Sequence, residues 1–198
     1  MRGKLIAIEG ADGCGKSTHA RLLSNWLRSR GYRVLLTSEP TDSVFGRVIR
    51  DALRGKLTLP REAEAAIFAA DRALHVSRVI KPAIRSGTIV VSERYLHSSF
   101  AYQPARGVSE EWVRRLNRCM PRPDLTIILD VPTRETMRRV RSKGPDVFER
   151  DSDFQRSVRE NYLRLAREED LVVVDTSRPK DEVQKEIRSI VSKRLRIG

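Results

Sequence analysis

The sequence is short of the residues that hold small proteins together from outside a core. Two cysteines, Cys14 and Cys119, stand far apart among 198 residues, with no C-x-x-C spacing and no neighbouring histidine. That excludes a disulfide scaffold and argues against a structural zinc site. Aromatic residues are only 6% of the chain, and none is interleaved with a basic stripe as a stacking platform for single-stranded nucleic acid requires. No apolar run approaches the roughly 20 residues of a membrane span. After Met1-Arg2-Gly3-Lys4 the stretch Leu5-Ile6-Ala7-Ile8 stops at Glu9, too short for the core of an export signal. The expectation is a soluble, cytoplasmic protein with no membrane partner. Amides are equally scarce (Asn25, Asn117, Asn161, Gln103, Gln155 and Gln184), while Arg and Glu abound. That balance suits a heat-adapted host, where ion-pair networks help and thermolabile side chains are disfavoured. Carboxylates are also outnumbered, 26 against 39 Lys and Arg, for a net charge of +13. The excess favours an anionic partner, whether nucleotide, nucleic acid or acidic lipid, without choosing among them.

What is present is an alternation. Short β-branched runs at 4–9, 33–37, 88–92, 125–130 and 171–175 read as strands, apolar on both faces and separated by stretches long enough for helical crossovers. A helix is expected over 16–30, with Ala20, Leu23 and Leu27 on one stripe and Gly31 as its left-handed stop. A second carries Val44, Phe45, Val48, Ile49, Ala52 and Leu53; a third runs over 61–80 and is disrupted at Pro82. Ser109 and Thr133 are candidate caps, and the last helices span 152–169 and 179–195. The pattern implies one α/β domain over 1–198, with a five-stranded parallel sheet between two helical layers.

The chemistry starts at Gly10-Ala11-Asp12-Gly13-Cys14-Gly15-Lys16-Ser17, followed by Thr18. It fits G-x-x-x-x-G-K-[ST] and lies between an expected strand and an expected helix, the context in which that pattern forms a phosphate cradle. Glycines let backbone N–H groups converge on phosphate oxygens, the helix N-terminus adds its positive end, and Lys16 reaches the outer phosphates of ATP. Ser17 is the expected Mg²⁺ ligand. A Gly-rich turn of purely structural origin would explain the glycines but not Lys-Ser at the helix start. The fold is therefore expected to be the three-layer P-loop NTPase type.

That cradle specifies a phosphate donor and leaves the acceptor open. Asn117-Arg118-Cys119-Met120 is not the N-K-x-D guanine reader, and no L-S-G-G-Q signature appears. Three further segments carry a specific resemblance: Ile8-Glu9-Gly10-Ala11-Asp12-Gly13, then Phe68-Ala69-Ala70-Asp71-Arg72, then Glu93-Arg94-Tyr95-Leu96-His97-Ser98-Ser99-Phe100-Ala101-Tyr102-Gln103. They resemble the E-G-x-D-G, F-x-x-D-R and D-R-Y-x-x-S-x-x-A-Y-Q segments of the thymidylate kinase family. Ser38-Glu39-Pro40, and Phe148-Glu149 ahead of Tyr162-Leu163-Arg164-Leu165-Ala166, extend the likeness over nearly the whole chain in order.

The resemblance implies transfer of the γ-phosphate of ATP to dTMP, giving dTDP and ADP for dTTP biosynthesis, with Mg²⁺ as cofactor and a homodimer as the assembly. It implies that Phe68 stacks on the thymine, Arg72 donates to a base carbonyl, and Ser98 or Ser99 meets the remaining base edge, with Gln103 in the same pocket. Asp12 accepts from the sugar 3′-hydroxyl, Tyr102 walls off the 2′ position, and Arg94 bridges donor and acceptor phosphates. A small basic lid at about 141–151, with Arg138, Arg139, Arg141 and Lys143 beside Gly144-Pro145, closes over ATP. Gly13 stands where one branch of the family has an arginine, so Arg141 first and Arg150 second are expected to bring the missing charge. Three departures qualify this. Glu93 replaces the usual Asp near the metal, Val147 replaces a lid arginine, and Glu39-Pro40-Thr41 replaces E-P-G, the loop beside Arg50, the candidate clamp for the acceptor phosphate. A dUMP kinase and an ATP-dependent nucleic-acid binder are the competing readings. The first differs by one methyl, worth about 1–3 kcal/mol; the second predicts steeply salt-dependent binding.

Overall fold

Alternation along the first strand decides the layering. In β1 (Leu5–Glu9), Leu5 and Ala7 turn to one side of the sheet and Ile6 and Ile8 to the other, and all four are buried. The computed structural model, which describes residues 3–135 and 151–197, places β1 at the centre of a five-stranded parallel sheet ordered β2-β3-β1-β4-β5. The other strands are β2 (Val34–Ser38), β3 (Ile89–Glu93), β4 (Leu125–Asp130) and β5 (Val172–Asp175). One face is covered by α1 (Lys16–Ser29) and α8 (Lys180–Leu195), whose Leu23, Leu27, Val183, Ile187 and Val191 pack on Ile6, Ile8, Val91 and Ile127. The opposite face carries α3 (Arg61–His75), α5 (Leu96–Ala105), α6 (Glu110–Leu116) and α7 (Ser152–Glu168), with Phe100, Val113, Tyr162 and Leu165 against Leu5, Ala7, Val90 and Ile128. Two cores thus share one sheet. Truncating a fully buried Leu23 or Leu27 to Ala costs about 2–5 kcal/mol.

The strands fall within one residue of the expected bounds. Their burial differs from a uniform two-faced pattern: β2 and β5 are the edge strands, and Leu36 and Val173 on them are exposed. At the end of α1, Gly31 adopts φ +85, the Gly31 amide donates to Arg28 and the Tyr32 amide to Leu27 at 3.2 Å, a Schellman stop. Ser43 caps α2 (Val44–Leu53), Ser109 caps α6, and Asp151 caps α7 through the Asp153 and Phe154 amides.

The third helix corrects the sequence expectation. Pro82 does not end it: α3 passes into a π-helical turn at Val76–Ile80 and continues as α4 (Lys81–Arg85), with Pro82 in the opening turn. The wider π turn already breaks the i to i−4 ladder there, so the missing proline N–H costs little. Residues 96–105, read only as a motif, form the buried helix α5.

The order of strands locates the site. The chain leaves β1 toward β2 on one side and after β3 crosses past β1 to β4 on the other. Ligands of open α/β sheets bind outside the carboxyl ends of the strands at such a reversal.

Candidate active site

Residues 10–15 join β1 to α1 at that reversal. Gly10 lies at φ +136, and a Cβ there would sit 2.4 Å from the Leu129 carbonyl oxygen, so only glycine leaves the strand this way. Gly15, at φ +98, precedes α1 and has no side chain with which to cap the first-turn N–H groups. Lys16 folds back over the loop. Its Nζ donates to the carbonyls of Ala11 at 2.7 Å and Gly10 at 3.1 Å and lies 3.7 Å from Asp12 Oδ1. Gly10 and Ala11 therefore work from beneath, while Asp12, Gly13, Cys14, Gly15, Lys16, Ser17 and Thr18 line a cavity of about 960 Å³. Glu93, the last residue of β3, lines it too and accepts from Ser17 Oγ at 2.7 Å.

Asp12 is the junction of the site. Arg94, held at φ +64 just past β3, donates to its Oδ1, while the Tyr102 hydroxyl donates to Oδ2 at 2.7 Å and Gln155 Nε2 approaches at 3.3 Å. Burial alone pushes the Asp12 carboxyl up; Arg94, Lys16 and those two hydrogen bonds outweigh it and hold it below the usual carboxylate range. Burial disfavours the charged form of Arg94; Asp12 first, with Tyr102 and Tyr162, together outweigh it and hold the guanidinium firmly in its charged form. The same guanidinium reaches Ser98 Oγ at 3.3 Å and lies 5.0 Å from the Tyr102 ring centroid. Burial pushes the hydroxyls of Tyr102 and Tyr162 well up, so both remain donors.

The far end of the cavity is built by α2, α3 and α5. Phe68, Ser98, Ser99, Tyr102 and Gln103 all line it, as does Arg50. Arg50 donates to the Thr41 carbonyl at 2.6 Å and the Pro40 carbonyl at 3.2 Å. Asp71 secures that loop by accepting from the Thr41 amide and from the hydroxyls of Thr41 and Ser43. Ser98 Oγ donates to Glu9 Oε2 at 2.7 Å, whereas Ser99 Oγ accepts from Arg72 at 2.9 Å. Arg72 is only 1% exposed and lies under the floor of the cavity, not on its lining.

Several side chains of the site had no role assigned to them from the sequence. Glu9, fully buried, accepts from the amides of Tyr95 and Ser98 and from the hydroxyls of Ser98 and Tyr162. Thr176, Arg178 and Lys180, after β5, complete the P-loop end of the cavity, and Thr176 Oγ1 donates to the Cys14 carbonyl at 3.0 Å. Their place beyond the carboxyl end of a strand was the available clue. Arg138, Arg139, Arg141, Lys143, Val147 and Arg150 lie outside the described residues. A second cavity of about 630 Å³, lined by His97, Arg114 and Glu169 among others, contains no P-loop residue.

This arrangement unites a triphosphate cradle with a flat apolar wall and short polar side chains able to hold a nucleoside monophosphate. A sequence model of the thymidylate kinase family matches residues 8–187. The chain is 45% identical over 202 residues to a protein of Pyrococcus abyssi named "Probable thymidylate kinase", covering 98% of both chains. It is 44% identical over 200 residues to a protein of the same name from Thermococcus onnurineus, covering 96% of this chain and 98% of the relative. With the relative of that name from Caldivirga maquilingensis the identity is 45% over 188 residues, 94% of this chain and 92% of the other.

Proposed function

Because the chain belongs to the thymidylate kinase family, we propose that it transfers the γ-phosphate of ATP to dTMP, producing dTDP and ADP for dTTP synthesis. The meeting of two half-sites in one cavity carries this reading. At one end is the P-loop with Lys16; at the other are Phe68, Ser99, Tyr102 and Gln103; Arg94 and Asp12 join them.

Phosphoryl transfer is mainly positioning and charge neutralisation. Lys16 and Arg94 flank Asp12, so the transferring group would sit between two fixed cations, each now held by loop carbonyls or by the Asp12 carboxylate. Phosphate oxygens would replace those partners without reorganising the loop. Arg94 suits the bridging position because a guanidinium offers a rigid fork to two phosphates. Asp12, with both oxygens near Tyr102 and Arg94, is the acceptor for the sugar hydroxyl, and Tyr102 closes the space beside it. Arg50, anchored on the 40–41 carbonyls and lining the cavity, would clamp the acceptor phosphate. In the reading, Arg141 and Arg150 supply lid charge over ATP.

The donor set suits Mg²⁺. Ser17 Oγ and the Glu93 carboxylate stand side by side, and no group of three His, Cys, Asp or Glu gathers among the described residues. Mg²⁺ uses one or two such oxygens together with substrate phosphates rather than an all-protein cage. Ser17 and Glu93 would hold it, and when bound it supplies charge neutralisation to the phosphates. The longer Glu93 side chain reaches the P-loop serine directly.

The reading extends to a homodimer, which sedimentation would check, and to a cytoplasmic enzyme; among the described residues no helix is long and apolar enough to cross a membrane. A coupled assay of ADP release with dTMP, dUMP, dCMP, dGMP and AMP tests the function. The highest kcat/KM is expected for dTMP; preference for dUMP or a purine nucleotide would overturn it.

A further inference from the structure

Arg72 is almost fully committed. Its Nε donates to Glu39 Oε2 at 2.9 Å, one terminal nitrogen donates to Ser99 Oγ at 2.9 Å and Asn117 Oδ1 at 2.6 Å, and the other donates to the Tyr95 carbonyl at 2.9 Å. A guanidinium has five N–H donors. Four are thus accounted for, and among the described residues none accepts from the fifth, on the nitrogen nearest Tyr95. The group lies under a floor to which Glu39, Ser99 and Phe68 contribute, so this last N–H is the only donor Arg72 has for a ligand above.

A single donor has value only if its direction is fixed, and rotation of the guanidinium plane would misdirect it. Glu39 is the one carboxylate paired with Arg72 among the described residues, and its side chain is only 4% exposed. Its second oxygen meets His75 Nδ1 at 3.0 Å, and His75 Nε2 lies 2.8 Å from Thr37 Oγ1. A carboxylate only accepts, so Nδ1 carries its hydrogen toward Glu39 while the Thr37 hydroxyl steadies the ring from the opposite nitrogen. Thr37 is in β2 and His75 ends α3. The relay therefore ties a strand edge to a base-reading arginine through two buried side chains.

We propose that His75 is a positioning residue for base recognition: through Glu39 it sets the plane of Arg72 and so aims the remaining N–H at an exocyclic carbonyl of the acceptor base. This rests on the thymidylate kinase reading of the cavity. His75 touches no substrate. Its effect falls on acceptor affinity and on discrimination between a base with a carbonyl at that position and one with an amino group, because a site built around one hydrogen bond rejects the partner that cannot make it.

The test uses the two amide replacements, which divide the imidazole's functions. In His75→Asn the amide nitrogen falls near the place of Nδ1 and can still donate to Glu39; in His75→Gln it falls near Nε2 and reaches Thr37 instead. Steady-state kinetics with dTMP, ATP and dCMP, plus thermal melts, are measured on both and on His75→Ala. His75→Gln and His75→Ala are expected to raise the KM for dTMP by about tenfold, the order of one misaligned charge-assisted hydrogen bond. The KM for ATP should stay within twofold and the preference for dTMP over dCMP should fall. His75→Asn should recover most of the loss. Equal KM values for the Asn and Gln variants, or a parallel rise in the KM for ATP, would overturn the proposal. Thr37→Val keeps a β-branched strand residue and removes only the outer hydroxyl; a KM for dTMP raised about threefold by ring freedom is expected, and an unchanged value counts against the relay even if the His75 variants misfold. If the unaltered enzyme does not phosphorylate dTMP, the functional reading itself has failed, which a wild-type control distinguishes from failure of the relay.

Discussion

Arg94→Lys separates charge from shape at the centre of the site. The backbone strain at φ +64 is common to both residues, and so is the positive charge. What is lost is the fork: the guanidinium reaches Asp12 Oδ1, the Tyr102 hydroxyl at 3.3 Å and Ser98 Oγ at 3.3 Å at once, and an ammonium on a flexible stem cannot hold all three. If Arg94 stabilises charge on the transferring phosphoryl, losing one preorganised donor of this type costs about 2.7–4 kcal/mol, or about 10²–10³ in kcat. Stability should respond differently. Arg94 and Asp12 are 18% and 15% exposed, and deleting one partner of a buried pair costs about 3–5 kcal/mol. Lys16 remains 3.7 Å from Asp12, so Arg94→Ala belongs near the lower end of that range. At about 2–4 °C per kcal/mol for a chain of this size, the Ala variant should melt roughly 6–12 °C lower, and the Lys variant less than half as far. Coupled ADP release and calorimetry on both variants supply the data. A Lys variant within threefold of wild-type kcat would refute the bridging role, and an unshifted Ala melt would refute the buried-pair argument.

Three further outcomes are expected. Phe68→Ala should raise the KM for dTMP ten- to hundredfold with little change for ATP, since base stacking contributes about 1–3 kcal/mol; equal effects on both substrates would misplace the base pocket. Arg141→Ala, and to a lesser degree Arg150→Ala, should lower kcat while leaving the KM for dTMP nearly unchanged, the pattern of a contact made mainly in the transition state. Wild-type kcat in both, and in the variant combining them with Ala at Arg138, Arg139 and Lys143, would make the basic segment a solvated surface. Glu169 is held at about 2, below its ordinary 4.5, first by a hydrogen bond from His97 and then by Arg114. A depressed carboxyl contributes stability that is complete above 4.5 and is lost as pH falls toward 2. Melts from pH 6 to 2 should therefore show a shallower acid decline for Glu169→Gln than for wild type; identical slopes would contradict the pairing.

Much of the sheet was readable because β1, β3 and β4 are short apolar runs with nothing to confuse their period, and the P-loop because glycine spacing and Lys-Ser occur together. Helix α5 was not, for a physical reason: it is buried nearly all round, so it shows no amphipathic stripe, and Pro104 near its end argues against a helix. Pro82 misled in the opposite sense, since a π turn upstream cannot be seen in composition. Within the site, the P-loop pattern singled out Lys16, and the family resemblance, not residue type, singled out Phe68, Ser98, Ser99, Tyr102 and Gln103, which line the same cavity. Neither could foretell pairings such as Arg94 with Asp12 or Thr37 with His75, which depend on strand order. Arg72 shows the difference: its motif marks a base reader, yet most of its donors are spent on the protein.

Glu9 has one more consequence, for the order in which the enzyme comes into being. Its four donors lie 86, 89 and 153 residues further along the chain, in Tyr95, Ser98 and Tyr162. Contacts of such separation form late, because loop closure must precede them. During synthesis the P-loop leaves the ribosome well ahead of the helix bearing Tyr162, and until that helix has emerged the carboxylate at the root of the loop stays without its full set of donors. Nascent chains and fragments ending before that helix would carry the phosphate-binding sequence with Glu9 lacking the Tyr162 hydroxyl that ties the loop's root to the far face of the sheet.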